Sequence, residues 1–199
     1  MSNKTFNIKD FLKKRPLSWS AISSFEYDPE QWYNNYFLGK RQDPSAEMLF
    51  GGKFANSCEA RKPLAPVTLL SKMEHGFKVV FNGIPLIGFA DTYDEAGRKH
   101  IGEYKTGVKA WDQKRVDEHG QITMYALMNY VSHKIRPEDC RFFLEWIPTC
   151  KLGDYSIDFV QPIKVHKFET KRTMKDVLEF GARINKTVVA MENYVRNHE

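Results

Sequence analysis

Two apolar runs meet at Asn82-Gly83, and this feature constrains the fold more than any other. Phe77, Val79 and Phe81 alternate along the chain, the two-residue period of a strand with one buried face. Asn-Gly suits a two-residue hairpin turn, whose central positions need positive φ. Ile84 to Tyr93 then reads as the return strand, Glu95 to Arg98 as a second turn, and His100 to Lys105 as a third strand ended by Thr106-Gly107. Residues 76–106 therefore predict a three-stranded antiparallel meander.

Helical patterns bracket this meander. Ser18 or Ser20 can cap a short helix reaching Phe25 or Tyr27, because a serine oxygen accepts from the free N–H groups of a first turn. Pro29 suits the start of a second helix, Glu30 to Leu38, and Gly39 its end. Lys40 to Glu47 read as a polar loop. A third helix is expected from about Lys53 to Lys62, stopping before Pro63. Downstream, Ile122, Tyr125, Ala126, Met128 and Asn129 recur at helical spacing between Gln121 and His133. Arg141 to Ile147 and Val165 to Phe168 read as two more strands. Thr173 caps a final helix, Lys175 to about Asn197, with one apolar stripe from Val177 to Val195. Residues 1–17, with Lys4, Lys9, Lys13, Lys14 and Arg15, read as a basic, partly ordered lead-in.

This order predicts an α/β fold with a central mixed β-sheet flanked by helices and an N-terminal helical segment. With 199 residues, the chain has room for one sizeable core. The expected organisation is one domain over 1–199: a helical extension over 1–48, a core over 49–170 and a C-terminal helix over 171–199. Lys plus Arg number 30 against 25 Asp plus Glu, a net charge of +5 that suits an anionic partner such as nucleic acid. No stretch approaches the roughly 18 apolar residues of a membrane span, and no apolar signal-peptide core follows the basic N-terminus. Cys58, Cys140 and Cys150 are odd in number and form no zinc pattern with the six histidines. A cytoplasm or another reducing compartment is the expected location.

The chemistry concentrates between Gly88 and Gly107, GFADTYDEAGRKHIGEYKTG. Glu103 and Lys105 are two apart on one predicted strand and so share a face. The hairpin geometry can bring Asp91 opposite them. Two carboxylates and an ammonium then converge, which is what phosphodiester hydrolysis needs. Mg2+ binds through one or two carboxylates and keeps several waters. It neutralises phosphoryl charge and activates water, while a nearby lysine stabilises charge developing on phosphorus. The Tyr104 carbonyl can add a further oxygen.

With these segments in place, the chain resembles the RecB-like branch of the PD-(D/E)xK nucleases. That branch includes nuclease domains of recombination helicases, CRISPR-associated RecB-like exonucleases, and mitochondrial and phage relatives. The similar segments run in order: LSWSAISSFEYDPEQWYNNY from Leu17 to Tyr36, FGGKFANSCE from Phe50 to Glu59, GFAD from Gly88 to Asp91, EYKTG from Glu103 to Gly107, and QITMY from Gln121 to Tyr125. The resemblance implies a restriction-endonuclease-like core and a Mg2+- or Mn2+-dependent deoxyribonuclease acting in recombination, repair or replication. It implies DNA and partner proteins of those pathways as partners. By the same resemblance, Asp91 and Glu103 hold the metal, Lys105 is the catalytic lysine, and Gln121 and Tyr125 steady the site or touch DNA. Lys109, Lys114 and Arg115 follow on a predicted loop, where they can hold phosphates.

Two departures stand out. Asp28 takes the place of the family's FxxCP cysteine, and three cysteines cannot supply the four ligands of an iron–sulfur cluster. The first-motif histidine is missing too. One register puts Ala55 in its slot with Glu59 as the acidic residue, and the other puts Asn56 there. Glu59 is the expected replacement ligand, because a carboxylate binds Mg2+ more strongly than an amide oxygen.

Overall fold

The computed structural model describes residues 6–40, 43–153 and 156–198. Its hairpin forms where the alternation predicts one. Strands β1 (Lys72–Phe81) and β2 (Ile84–Tyr93) pair antiparallel from Phe81↔Ile84 at the turn to Lys72↔Tyr93. Asn82 and Gly83 hold φ of 51° and 78°, the left-handed values that such a turn requires. Strand β3 (His100–Gly107) continues the meander but pairs with β2 only at Tyr93↔Ile101 and Thr92↔Gly102. On the Asp91 side of Thr92 the two strands part.

The other edge of β3 runs parallel to β4 (Arg141–Lys151). A parallel neighbour needs a crossover. Helices α5 (Gln113–Asp117) and α6 (Gly120–His133) supply it. Strand β4 also pairs antiparallel with β5 (Ile157–Phe159) and β6 (His166–Thr170). The described residues thus form a mixed six-stranded sheet. Alternation along β4 sends Phe142 and Leu144 to one apolar cluster and Ile147 to another. The larger cluster gathers α1 (Ile8–Lys14), α2 (Trp19–Tyr27), α6 and α7 (Met174–Arg196) through Leu12, Ile22, Met124 and Ile184. The smaller one lies under α4 (Ala46–Glu59), where Phe54 and Cys58 meet Tyr104 and Phe159. No helix among the described residues is long and apolar enough to cross a membrane.

The caps at Ser18 and Thr173 form as the sequence predicts: each side chain accepts from a first-turn backbone N–H. Asp28, at the cysteine position of the family pattern, caps α3 (Pro29–Trp32) by accepting from the Gln31 N–H at 2.9 Å. That helix continues as a π-helical turn, Tyr33–Phe37.

Several boundaries differ from expectation. The lead-in folds as α1, which buries Ile8 and Leu12; residues 1–5, including Lys4, lie outside the described residues. Helix α4 begins at Ala46, well before Lys53, because Ser45 Oγ accepts from the Met48 N–H, and it ends at Glu59. Residues 41–42 of the expected loop lie outside the described residues. Lys114 and Arg115 stand on α5 and not on a loop, since Asp112 caps a helical turn there. Strand β4 runs on to Lys151, and β5 adds a short strand that no periodicity announced.

The β3–β4 contact is tight. A Cβ on Gly102 would lie 2.3 Å from the Phe143 ring and 2.6 Å from Thr92. Gly102→Ala should therefore cost about 1–3 kcal/mol of stability by overpacking, read as a lower denaturation midpoint. Gly52→Ala on α4 meets open space and should leave stability unchanged or raise it by about 0.5–1 kcal/mol. Equal midpoints for the two variants would contradict this packing.

Candidate functional site

Asp91 occupies the gap where β2 and β3 part. Its Oδ2 accepts a hydrogen bond from the Tyr104 backbone N–H at 2.6 Å, which ties it to the third strand beside Glu103. Glu103 is only 4% exposed, a rare position for a carboxylate without partners. Its partners come from the strand and from the crossover helix. Lys105 Nζ donates to Glu103 Oε1 at 2.5 Å and to Gln121 Oε1 at 2.9 Å. Gln121 Nε2 donates to Tyr125 Oη at 2.6 Å. The single phenolic proton of Tyr125 has two acceptors in reach, Glu103 Oε2 at 2.9 Å and the Phe89 carbonyl. Gln121 and Tyr125 are one helical turn apart on α6, so one helix face supports both members of the Glu103–Lys105 pair. Asp91, Glu103, Tyr104 and Lys105 line one cleft of about 390 Å³, which Glu47, Gly51 and Ala55 of α4 close from the other side.

The charges here are not independent. Burial, and next the neighbouring Glu103, push the Asp91 carboxyl well above the usual carboxylate range. Burial opposes the Lys105 charge, but Glu103 outweighs it and holds the ammonium above its ordinary value. Tyr125 is raised well above a free phenol by burial and then by Glu103 and Asp91, so it stays a neutral donor. His119, just before α6, is pushed down to about 3 by burial and by the nearby Lys105, Arg172 and Arg115; its imidazole is neutral.

This site fits a hard divalent cation. Two carboxylates share a cleft in which burial, and next Glu103, oppose the Asp91 charge, a cost that a bound cation would relieve. Mg2+ needs no more than one or two protein carboxylates. Among the described residues, no group of three or more His, Cys, Asp or Glu could hold a metal ion. The remaining positions around such a cation would fall to water and phosphate.

No family model matches the sequence, and no curated protein matches it. Solved structures do. The chain is similar to a candidate exonuclease from Eubacterium rectale, with a TM-score of 0.58 and 14% identity over 98% of this chain and 85% of that one. It is also similar to a phage-related exonuclease from Haemophilus somnus 129PT, with a TM-score of 0.52 and 14% identity over 89% of this chain and 80% of that one. The chain shares the fold of these two structures. At this identity the likeness concerns the backbone, and each side chain's role rests on its own geometry.

Within this fold, Asp91, Glu103, Lys105, Gln121 and Tyr125 come together, whereas three other expected residues do not join them. Glu59 is the last residue of α4, exposed and outside the lining of the cleft. Ala55, one turn after Gly51, faces the cleft, while Asn56 is exposed. Helix α4 therefore presents the Ala55 methyl group to the cleft, and Glu59, the expected ligand, lies outside its lining. Lys109 is exposed outside the cleft. Arg115 stacks on Trp111, 3.8 Å from its ring centroid, and lines a neighbouring hollow with Trp19 and His119. The Tyr104 side chain lies under α4, where its hydroxyl donates to the Thr68 carbonyl.

Two acidic residues escaped sequence reasoning. Glu47 lines the cleft from the first turn of α4 and pairs with Lys151 at 2.8 Å, a bond that holds its carboxyl down at about 2. The sequence placed it at the end of a loop. Glu74 sits on β1 between the pairs Met73↔Thr92 and His75↔Ala90, and so across from Asp91. Burial, and then Glu59 and Glu103, raise its carboxyl. Its φ of 50° could not be foreseen from a residue type that rarely adopts it.

Tyr125→Phe tests the network directly. It removes a hydroxyl that Gln121, Glu103 and the Phe89 carbonyl all use, leaving buried polar groups short of a partner. The expected loss is about 1–3 kcal/mol of folding stability, measured by chemical denaturation without metal. An unchanged midpoint would mean that these hydrogen bonds do not form in solution.

Proposed function

We propose that this protein is a metal-dependent deoxyribonuclease of the PD-(D/E)xK, RecB-like type, which hydrolyses phosphodiester bonds at DNA ends in recombination, repair or replication. One observation carries the reading: Asp91, tied to the Tyr104 amide, lies beside a buried Glu103–Lys105 pair that Gln121 and Tyr125 hold in place. Mg2+ or Mn2+ bound by Asp91 and Glu103 would neutralise phosphoryl charge and lower the pKa of a bound water. The Tyr104 carbonyl is a further oxygen of the same segment. Lys105 orients the attacking water and faces the charge that builds on the phosphoryl oxygens. Gln121 keeps the ammonium directed at the cleft, and Tyr125 keeps Glu103 from turning away. Preference for a free end rests on the exonuclease names of the two structural neighbours.

Ala55 favours a second reading, a non-catalytic DNA-binding module that has lost a helix ligand. The two separate on end-labelled linear DNA, single- and double-stranded, and on covalently closed circles, each with Mg2+, Mn2+ or EDTA. The nuclease shortens linear DNA with either metal, does nothing in EDTA and spares closed circles. Binding without cleavage in all lanes would establish the module instead. Discrete bands from closed circles would mark a restriction-type endonuclease.

A further inference from the structure

Phe89 is 50% exposed on a strand whose other large side chains are mostly covered. One exposed phenylalanine says little by itself; its place in the sheet says more. A Cβ on Gly88 would meet Tyr125 and Met128 of α6, so Gly88 faces α6 and Phe89 faces the other way. Asp91 is two residues further along β2 and lines the cleft under α4, on the same face as Phe89. Phe89 therefore stands just outside the cleft lining, one strand repeat of about 6.6 Å from Asp91. Its backbone is tied to the site as well: the Tyr125 hydroxyl has both the Phe89 carbonyl and Glu103 Oε2 in reach.

Gly76, paired with Phe89 across β1, is exposed and gives the ring its room: a Cβ there would lie 3.2 Å from it. The backbone at Gly76 does not call for glycine, since positive φ occurs only at Gly39, Gly83 and Gly153 among the described glycines. A glycine inside a strand weakens it and often marks the close approach of a ligand. Lys78, two residues along β1 on the same face, is exposed too.

We propose that Phe89 is a stacking platform at the mouth of the carboxylate cleft: it receives the unpaired base next to the phosphate held at Asp91 and Glu103, and so directs a single-stranded end into the site. The inference rests on the nuclease reading and gives it a substrate class. A base inside a duplex has both faces covered by its neighbours, whereas an unstacked base offers a face to an aromatic ring whatever its identity. A nucleic-acid strand suits this surface because it adjoins the cleft at Asp91 and carries a cation, Lys78, for a neighbouring phosphate.

The competing role for the ring is to shield the β1 backbone at Gly76. Leucine can do that while offering no aromatic face, so Phe89→Leu and Phe89→Trp are the informative pair. Initial cleavage rates with Mg2+ give kcat/KM for a labelled single strand, and for the same strand with one abasic unit at the terminal or penultimate position of either end. Phe89→Leu should lower kcat/KM on the intact strand roughly 10-fold at a wild-type melting midpoint, and Phe89→Trp should keep it. An abasic unit at one of these positions should cost wild type as much as Phe89→Leu does, with no further loss when the two are combined. Losses that multiply at every position would overturn the platform, as would a Phe89→Leu variant as fast as wild type. Variants that change the mass of the protein in solution but not its rate would assign the face to a second copy of the chain and overturn it too. If wild type cleaves the strand while the Phe89 coupling is missing, the platform alone fails; if wild type cleaves no DNA with any divalent metal, the nuclease reading fails and the platform with it.

Discussion

Asp91→Asn, Glu103→Gln and Lys105→Met should each lower DNA cleavage by about 10²–10³-fold or more, while the purified variants remain folded. The choice of substitution matters for Asp91. Its Oδ2 accepts from the Tyr104 N–H, so alanine would free the gap between β2 and β3 and confuse a loss of chemistry with a loss of structure. Asparagine keeps an acceptor there and removes only the charge. Glutamine at 103 likewise keeps an oxygen for Lys105 and for Tyr125. Methionine at 105 fills the same space without the ammonium. Glu59→Gln is the comparison, because Glu59 lies outside the cleft, and it should cleave like wild type. Rates are read from initial release of labelled nucleotide, with circular dichroism on the same samples. A folded Asp91, Glu103 or Lys105 variant with near wild-type activity would remove that residue from the mechanism.

Metal should stabilise the protein, and more so as pH rises. The Asp91 carboxyl is raised in the folded chain, by burial and then by Glu103, so the native state holds a proton that the unfolded chain has released. Its stabilising contribution is complete below the ordinary carboxylate range and is lost as pH climbs through the raised value. The metal-free protein should accordingly weaken across that window. The raised Lys105 does not offset this, since its contribution persists until alkaline pH. A divalent cation reverses the trend, because it binds the ionised pair. At one hundred times its dissociation constant it would add about 2.7 kcal/mol. Asp91→Asn should flatten the pH dependence without metal and remove most of the gain with it. Melting curves at several pH values, with EDTA and with Mg2+, measure both. A metal gain that is the same at every pH, or that survives in Asp91→Asn, would place the cation elsewhere.

Much of the arrangement was legible because local rules determine it. A two-residue period puts Glu103 and Lys105 on one face, and the turn from Glu95 to Arg98 between β2 and β3 brings Asp91 near. The spacing of Gln121 and Tyr125 places both on one face of α6, and the caps at Ser18 and Thr173 mark two helix starts. What was not legible depends on distant contacts. The parallel pairing of β3 with β4 joins segments some forty residues apart, such as Glu103↔Leu144. The parting of β2 and β3 after Thr92 leaves the Tyr104 N–H to Asp91, and no periodicity encodes that. Helix α4 begins early at the Ser45 cap, which puts Glu47 in its first turn and not in a loop, and Glu59 falls at its exposed last residue. Glu74 enters through a backbone conformation that its residue type seldom adopts.

The most direct measurement is the position of Mn2+ in crystals of the protein, found by anomalous diffraction. The account predicts a peak in the cleft about 2.0–2.3 Å from one oxygen of Asp91 and one of Glu103, absent in Asp91→Asn. A strong peak bound to other residues, or none between these two carboxylates at saturating Mn2+, would contradict it.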